Sequence, residues 1–396
     1  MINEAIAKLK SYCESEQFKG WDPYDGLNSK VFQALPFFKN SALCRLVVIQ
    51  GFKRSPVNFR RIAMVPKEYN AKGIALFLQG YCNLYNAVNK NSDLESSLES
   101  PTILLNRIHE LANLLISLQS KGYSGVCWGY NFDWQSKAFF LPKYTPTVVA
   151  TSFAVEALLS AYETTGNTEY LDTAISSAEF ILKDLNVIKK ENGYMFSYSP
   201  LDTRAVYNAT LLGTKTLSLI YKYTRKEDYK VAARASAQAV CDEQNNDGSF
   251  PHSDQIRNQW RDSFHTGFKL ESLATYRLCC LDDSFDECIE KGYSYWRDNF
   301  FVKDTGLAKY YDKSSDDEII DLHCAAQAIP TICKLGKFQE DKDMAYKILE
   351  WAIRNMQSDK GYFYFQMKRN RKNMISYMRW PNAWMFYGIS YYLLNV

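Results

Sequence analysis

The sequence predicts a single all-α domain, an (α/α)6 barrel in which about six helical hairpins build an inner and an outer ring. Three observations lead there. A helix closed by glycine and an aromatic residue recurs along the chain. The helix that follows each such turn is apolar on nearly every face. The longer loops, rich in polar and aromatic residues, all lie directly before those apolar helices.

The repeat sets the frame. Gly122, Gly193, Gly248, Gly306 and Gly361 close successive amphipathic stretches and stand 71, 55, 58 and 55 residues apart. Helices commonly stop in the left-handed conformation that glycine adopts without steric cost. A recurring unit of this size marks a repeat architecture. Gly20-Trp21 reads as an earlier, irregular copy. The first helix of each pair reads as outer: residues 101–121, 168–185, 226–244, 284–300 and 341–357, with one more from the first 55. Each has one apolar stripe and one charged face, as a helix with one side in water requires. The second helices span 71–88, 147–162, 204–221, 264–280, 319–335 and 380–394. They are apolar almost all round and must be buried on most sides. An open solenoid would expose a concave face that these helices are too apolar to present. The domain is expected to run over 1–396, with 1–70 an irregular N-terminal hairpin region and 71–396 regular.

Composition agrees with a large buried core. Apolar residues make up 46% of the chain and aromatic ones 15%, led by 28 Tyr and 23 Phe. The net charge is +3, from 47 basic and 44 acidic residues. That balance, with no basic stripe, argues against a nucleic-acid partner. Ten scattered cysteines without a CxxC pair suit free thiols in a reducing compartment. No apolar run is long enough to span a bilayer and the opening helix lacks a signal-peptide core. The expectation is a soluble, cytoplasmic protein with no membrane partner. No GxGxxG, P-loop or HExxH motif occurs, so no cofactor and no metal are expected.

Four clusters precede inner helices, where functional residues should gather. The first holds Trp128, Asn131, Asp133, Trp134 and Gln135, with Tyr144 nearby: rings to stack on sugars and amides and a carboxylate to hydrogen-bond hydroxyls. The second holds His252, Trp260, Asp262 and His265. Asp262, three residues before His265, is spaced to orient that imidazole as an acid–base group. The third pairs Asp321 with His323, which two-residue spacing on a helix would point apart. The fourth holds Arg379, Trp380, Asn382 and Trp384, with Arg379 suited to a carboxylate or phosphate. Arg204, Tyr207 and Asn208 begin another inner helix and add to the same wall.

Two of the turns extend to Gln-x-x-x-Gly-x-aromatic: Gln244, Gly248 and Phe250, and Gln357, Gly361 and Phe363. This pattern resembles the QW-type repeat of terpenoid cyclases and the Asp-Gly-Ser-aromatic turns of six-hairpin glycosidase-like enzymes, across about 70–396. The resemblance implies an α/α toroid, a fold that carries several chemistries. The terpenoid and prenyltransferase branch is the weaker match. No Asp-x-Asp-Asp string occurs, the Asp282–Asp286 stretch reads as a helix cap, and Asp321, His323 and Cys324 crowd too closely to map as zinc ligands. The loops suit the carbohydrate branch. The expected function is acid–base chemistry on a sugar or oligosaccharide, including uronate-containing ones, by hydrolysis, epimerisation or elimination. Hydrolysis would use Asp133 and Asp262; epimerisation or elimination would use His265 and His323, with Arg379 neutralising a carboxylate. A terpenoid cyclase or prenyltransferase and a non-catalytic saccharide-binding toroid are the alternatives.

Overall fold

A computed structural model describes residues 1–91, 94, 98–136, 139–255, 259–312, 318–369 and 371–396. The chain opens with α1 (Ile2–Ser15). Three short helices follow: α2 (Lys30–Gln33), α3 (Pro36–Asn40) and α4 (Ala42–Arg54). A strict alternation then begins with α5 (Ala71–Lys90), α6 (Pro101–Ser117), α7 (Val148–Thr165) and α8 (Thr168–Glu179). It continues through α9 (Tyr207–Thr224), α10 (Glu227–Cys241), α11 (Ser263–Cys280) and α12 (Asp286–Phe300). It closes with α13 (Leu322–Lys334), α14 (Lys342–Met356) and α15 (Ala383–Asn395).

The odd members from α5 to α15 form the inner ring. Each packs on the next, and α15 packs on α5, so the ring closes. Outside it stand α6, α8, α10, α12 and α14, with α1 completing the six against α14 and α15. The helix predicted from the first 55 residues is therefore α1. Among the described residues no helix is long and apolar enough to cross a membrane.

Side chains at the loop end start the inner helices. Asn70, Thr147, Asp262 and Asp321 each accept a hydrogen bond from a first-turn amide of α5, α7, α11 and α13. Such caps satisfy amides that the helix leaves open. Three inner helices begin three residues later than the sequence suggests, at 207, 322 and 383. At α13 the reason is pairing: Ile319–Asp321 is a strand, antiparallel to Gln366–Lys368, which pairs in turn with Arg371–Asn373. Ahead of α15, Met378–Asn382 forms a π-helical turn around Pro381.

The repeat glycines have a packing role. Gly248 sits at φ +86° and Gly361 at φ +94°, and a Cβ on either would strike the backbone of the next outer helix, at Lys291 of α12 and Lys8 of α1. In the first hairpin Gly122 takes the expected left-handed conformation, at φ +88°, but has open space around it; Gly125 is the glycine that lies against Ser176 of α8. The glutamines of the extended motif clamp the same joints. Gln244 Nε2 donates to the carbonyls of Gly248 and Cys288, at 3.0 and 2.9 Å. Gln357 Nε2 donates to Gly361 and to Ala5 of α1, both at 2.9 Å. The second clamp joins the last repeat to the first helix.

The barrel axis is filled. A buried polar network crosses it, with Glu156 of α7 receiving Lys215 Nζ of α9 at 2.6 Å and Lys334 Nζ of α13 at 2.7 Å. Lys334 also reaches Glu271 of α11 at 3.1 Å and the Tyr387 hydroxyl of α15 at 2.9 Å. Gln327 and Thr331 saturate Glu271, each at 2.7 Å. Five of the six inner helices thus share one network. Burial alone would raise Glu156, but Lys215 and Lys334 hold its carboxyl down to about 2.

Candidate active site

The loop end of the ring is the candidate site, and it is covered. Residues between α1 and α5 lie across it, anchored by Arg379, whose Nε and Nη2 donate to the two Asp22 carboxylate oxygens at 2.6 and 2.8 Å. Arg60 repeats the device, donating to Asp25 at 2.7 Å, to the Asp22 carbonyl and to the Tyr377 hydroxyl. Burial lifts the Asp25 carboxyl to about 7 even against Arg60. Asn131 ties the first loop to this cover, accepting from Asn70 at 2.7 Å while its carbonyl accepts from Asn28 at 2.8 Å. The end where functional residues were expected to gather is therefore largely closed by the irregular N-terminal region.

Several predicted contact residues are engaged inside the protein. Trp128 is fully buried and donates its indole N–H to Leu115. Asn382 accepts from the Phe363 amide and donates to Ser376. Gln135 accepts from Arg45 at 2.8 Å, and Tyr207 donates to Glu243 at 2.9 Å. Asn208 is buried beside it. Arg204 lies over the Phe139 ring, which also meets Trp134. The guanidinium of Arg379 is occupied by Asp22 rather than presented to a ligand. Tyr144 is half exposed, in the left-handed conformation.

The second and third clusters converge. Asp262 is 1% exposed and does two jobs. One carboxylate oxygen caps α11 through the His265 amide at 2.7 Å, and the other meets His265 Nδ1 at 2.6 Å. The carboxylate fixes that ring with Nδ1 as donor, leaving Nε2 as the basic atom. The His265 side chain keeps 21% of its surface exposed. Beside it His252 stacks on Trp260 at 4.1 Å. Burial, with help from His265 and Lys269, pushes His252 down to about 2, so it is neutral.

Phe264 joins His265 to His323, with ring centroids 4.2 and 4.3 Å away. His323 is fully buried, walled by Phe268, Trp380 and Trp384. Neither of its ring nitrogens has a hydrogen-bond partner among the described residues. Burial, then Lys72 and Arg379, hold it well below the usual imidazole range. Asp321 does not share a helix face with it. Asp321 precedes α13 as the cap, and accepts from Gln366 at 2.5 Å and from the Trp380 indole at 2.8 Å. Burial raises its carboxyl to about 6 against these bonds.

Three participants escaped the sequence reading. Lys72 begins α5 with its ammonium 4.2 Å from the Phe153 centroid and 5.0 and 5.3 Å from Phe268 and Trp384. Burial holds it well below the usual lysine range. A lysine in an apolar first turn was the available signal. Glu68 and Asp22 come from the irregular region, where no periodicity pointed to them. Glu68 lines a cleft of about 240 Å3 with Asp133, Lys143, Asn28, Gln33 and Pro66. Asp133 accepts there from the Lys143 amide at 2.8 Å. Among the described residues no three His, Cys, Asp or Glu side chains gather as a metal site.

Residues 150–319 match the model of Glycosyl Hydrolase Family 88. No curated protein sequence matches the chain. Among solved structures, a sugar epimerase from a ruminal bacterium superposes with a TM-score of 0.58 at 14% identity, over 83% of this chain and 90% of the other. A cellobiose 2-epimerase from Bacillus thermoamylovorans gives 0.61 at 12% identity, over 83% and 90%. An unsaturated glucuronyl hydrolase from Streptococcus agalactiae gives 0.58 at 11%, over 100% and 90%. At these identities the likeness establishes architecture: the chain has the α/α toroid fold.

Proposed function

We propose that this chain is a carbohydrate-active enzyme that transfers protons to and from a sugar through His265, with Asp262 orienting the imidazole. The Asp262–His265 pair at the start of α11 carries this reading. It lies within the segment that matches a glycosyl hydrolase family, and the superposed structures are named as enzymes of saccharides, one of them of a uronyl sugar. The pair also selects among chemistries. Two-carboxylate hydrolysis needs both groups free to face the bond. Asp262 is buried and saturated by the cap and by His265, which fits it as an orienter and not as half of a pair with Asp133.

The step we assign is removal of the proton on the carbon beside a sugar carbonyl. The C–H electron pair forms an enediol as the carbonyl oxygen takes a proton. Return of a proton to the other face inverts the centre. His265 is the base, and His323, across Phe264, returns the proton on the opposite face once opening of the cover lifts its desolvation and lets it carry one. His323 is enclosed, so this reading entails movement of the covering segment before the sugar enters.

The test is incubation of the protein with reducing mono- and disaccharides, including uronates, in deuterated water. NMR should find deuterium at the inverted carbon and no new reducing ends. Loss of that exchange in His265→Ala supports the reading. Hydrolysis that survives His265→Ala sinks it. A second reading rests on the cleft, where Glu68 and Asp133 face one volume large enough for a sugar ring. It predicts release of reducing ends that Asp133→Asn abolishes.

A further inference from the structure

The cover has an unusual make-up. Residues 26–67 hold eight Lys and Arg and no acidic residue. The chain totals +3, so this +8 leaves −5 for the remainder. The charges form no tight cluster in the sequence, being dispersed over 42 residues. Arg60 and Lys67 are used on Asp25 and Glu16. Lys30, Arg54 and Arg61 are exposed.

Between these cations stand large apolar side chains in water. Phe37 is 90% exposed, Ile62 80%, Leu43 70% and Val47 62%. On α4 the solvent face runs Leu43, Val47, Gly51, Arg54, so its exposed stripe is apolar and ends in a cation. These parts belong to one packed unit. Helix α3 packs on both α2 and α4, and Ser29 and Lys30 bond to the carbonyls of Ala63 and Met64. Soluble surfaces rarely cluster apolar groups this way unless something covers them.

We propose that this platform docks the protein on an anionic bilayer surface, with Phe37, Leu43 and Ile62 entering the headgroup boundary and Lys30, Arg54 and Arg61 held at the anionic lipid headgroups. Apolar insertion joined to dispersed cations is the combination that holds a protein at such an interface. A second copy is disfavoured as the occupant, because a twofold interface would set two faces of the same positive sign against each other. Exposed aliphatic tips suit hydrocarbon, not a polyphosphate groove. The absence of a spanning helix is no obstacle, since adsorption needs none. This inference stands apart from the saccharide reading, because binding is measured without turnover.

Flotation of the full chain with vesicles tests it. Phosphatidylcholine vesicles are compared with ones containing about a third phosphatidylserine. The anionic vesicles should bind at least tenfold more tightly, and salt should weaken binding by screening. The Lys30→Glu, Arg54→Glu, Arg61→Glu variant should fall to the neutral-vesicle level. Phe37→Ser with Ile62→Ser should lower binding at least tenfold with an unchanged unfolding midpoint, since both side chains lie in solvent. Equal binding to both vesicle types, or to neither, overturns the proposal. So does a concentration-dependent dimer that Phe37→Ser dissolves, which would assign the platform to a second copy.

Discussion

Asp262 shows how one side chain can be read in two ways and serve both. As a cap it needs only an oxygen near the third amide, which Asn also supplies. As the orienter of His265 it needs a negative charge on Nδ1–H. Asp262→Asn separates the roles. We expect the unfolding free energy to change by well under 1 kcal/mol, with turnover down by about 10²-fold or more. Asp262→Ala removes both roles and should cost about 1 kcal/mol of stability besides. Chemical denaturation alongside kcat measures the pair; equal activity in Asp262→Asn and wild type would remove the orienting role. The contact was legible because three residues separate the partners at a helix start. Arg379 was not legible in the same way. Its partner, Asp22, stands 357 positions away, and no local pattern reports such a pairing.

At the scale of elements, the turn glycines and glutamines make one joint. Gly193, Gly248, Gly306 and Gly361 each let a turn touch the backbone of the next outer helix, and Gln244 and Gln357 bond across that contact. Gly248→Ala would force both an unfavourable φ and a clash with Lys291. We expect a loss of about 1–3 kcal/mol in urea unfolding. Gln357→Ala leaves the Ala5 and Gly361 carbonyls without their donor and should cost about 1–3 kcal/mol. Faster amide exchange confined to α1 would mark the unlatched joint. If exchange in α1 is unchanged, the clamp does not hold that helix. The helix alternation was readable from apolar periodicity. The starts of α9, α13 and α15 were displaced because the residues before them are extended or π-helical, and tertiary pairing sets those conformations. Gly122 takes the left-handed conformation expected of it, at φ +88°, but the close approach to α8 falls to Gly125, and only the packed helix decides which turn residue must lack a Cβ.

Across the whole molecule, the ring is held on its axis by Glu156, Lys215, Glu271 and Lys334. Glu156 has a folded-state value of about 2, below the ordinary 4.5. Its contribution is therefore complete above about pH 4.5 and is lost as pH falls from there toward 2. Glu156→Gln removes the charge that two lysines face. At pH 7 we expect a loss of about 3–5 kcal/mol, as for one partner taken from a buried pair. Between pH 5 and 3 the variant should lose less additional stability than wild type. Thermal unfolding across that range decides the point; parallel curves would show that Glu156 does not carry the acid sensitivity.

The sequence by itself determined the all-helical class, the two kinds of helix and the end of the ring where polar side chains collect. Those follow from local rules: apolar periodicity reports which faces are buried, and glycine and cap residues report where helices stop. The tertiary structure alone decided that α15 meets α5, that the residues between α1 and α5 cover the mouth and that Arg379 is taken by Asp22. It also decided that His265 and His323 share one phenylalanine ring. Each of these depends on which distant surfaces meet when the ring closes, and a one-dimensional pattern carries no record of that pairing.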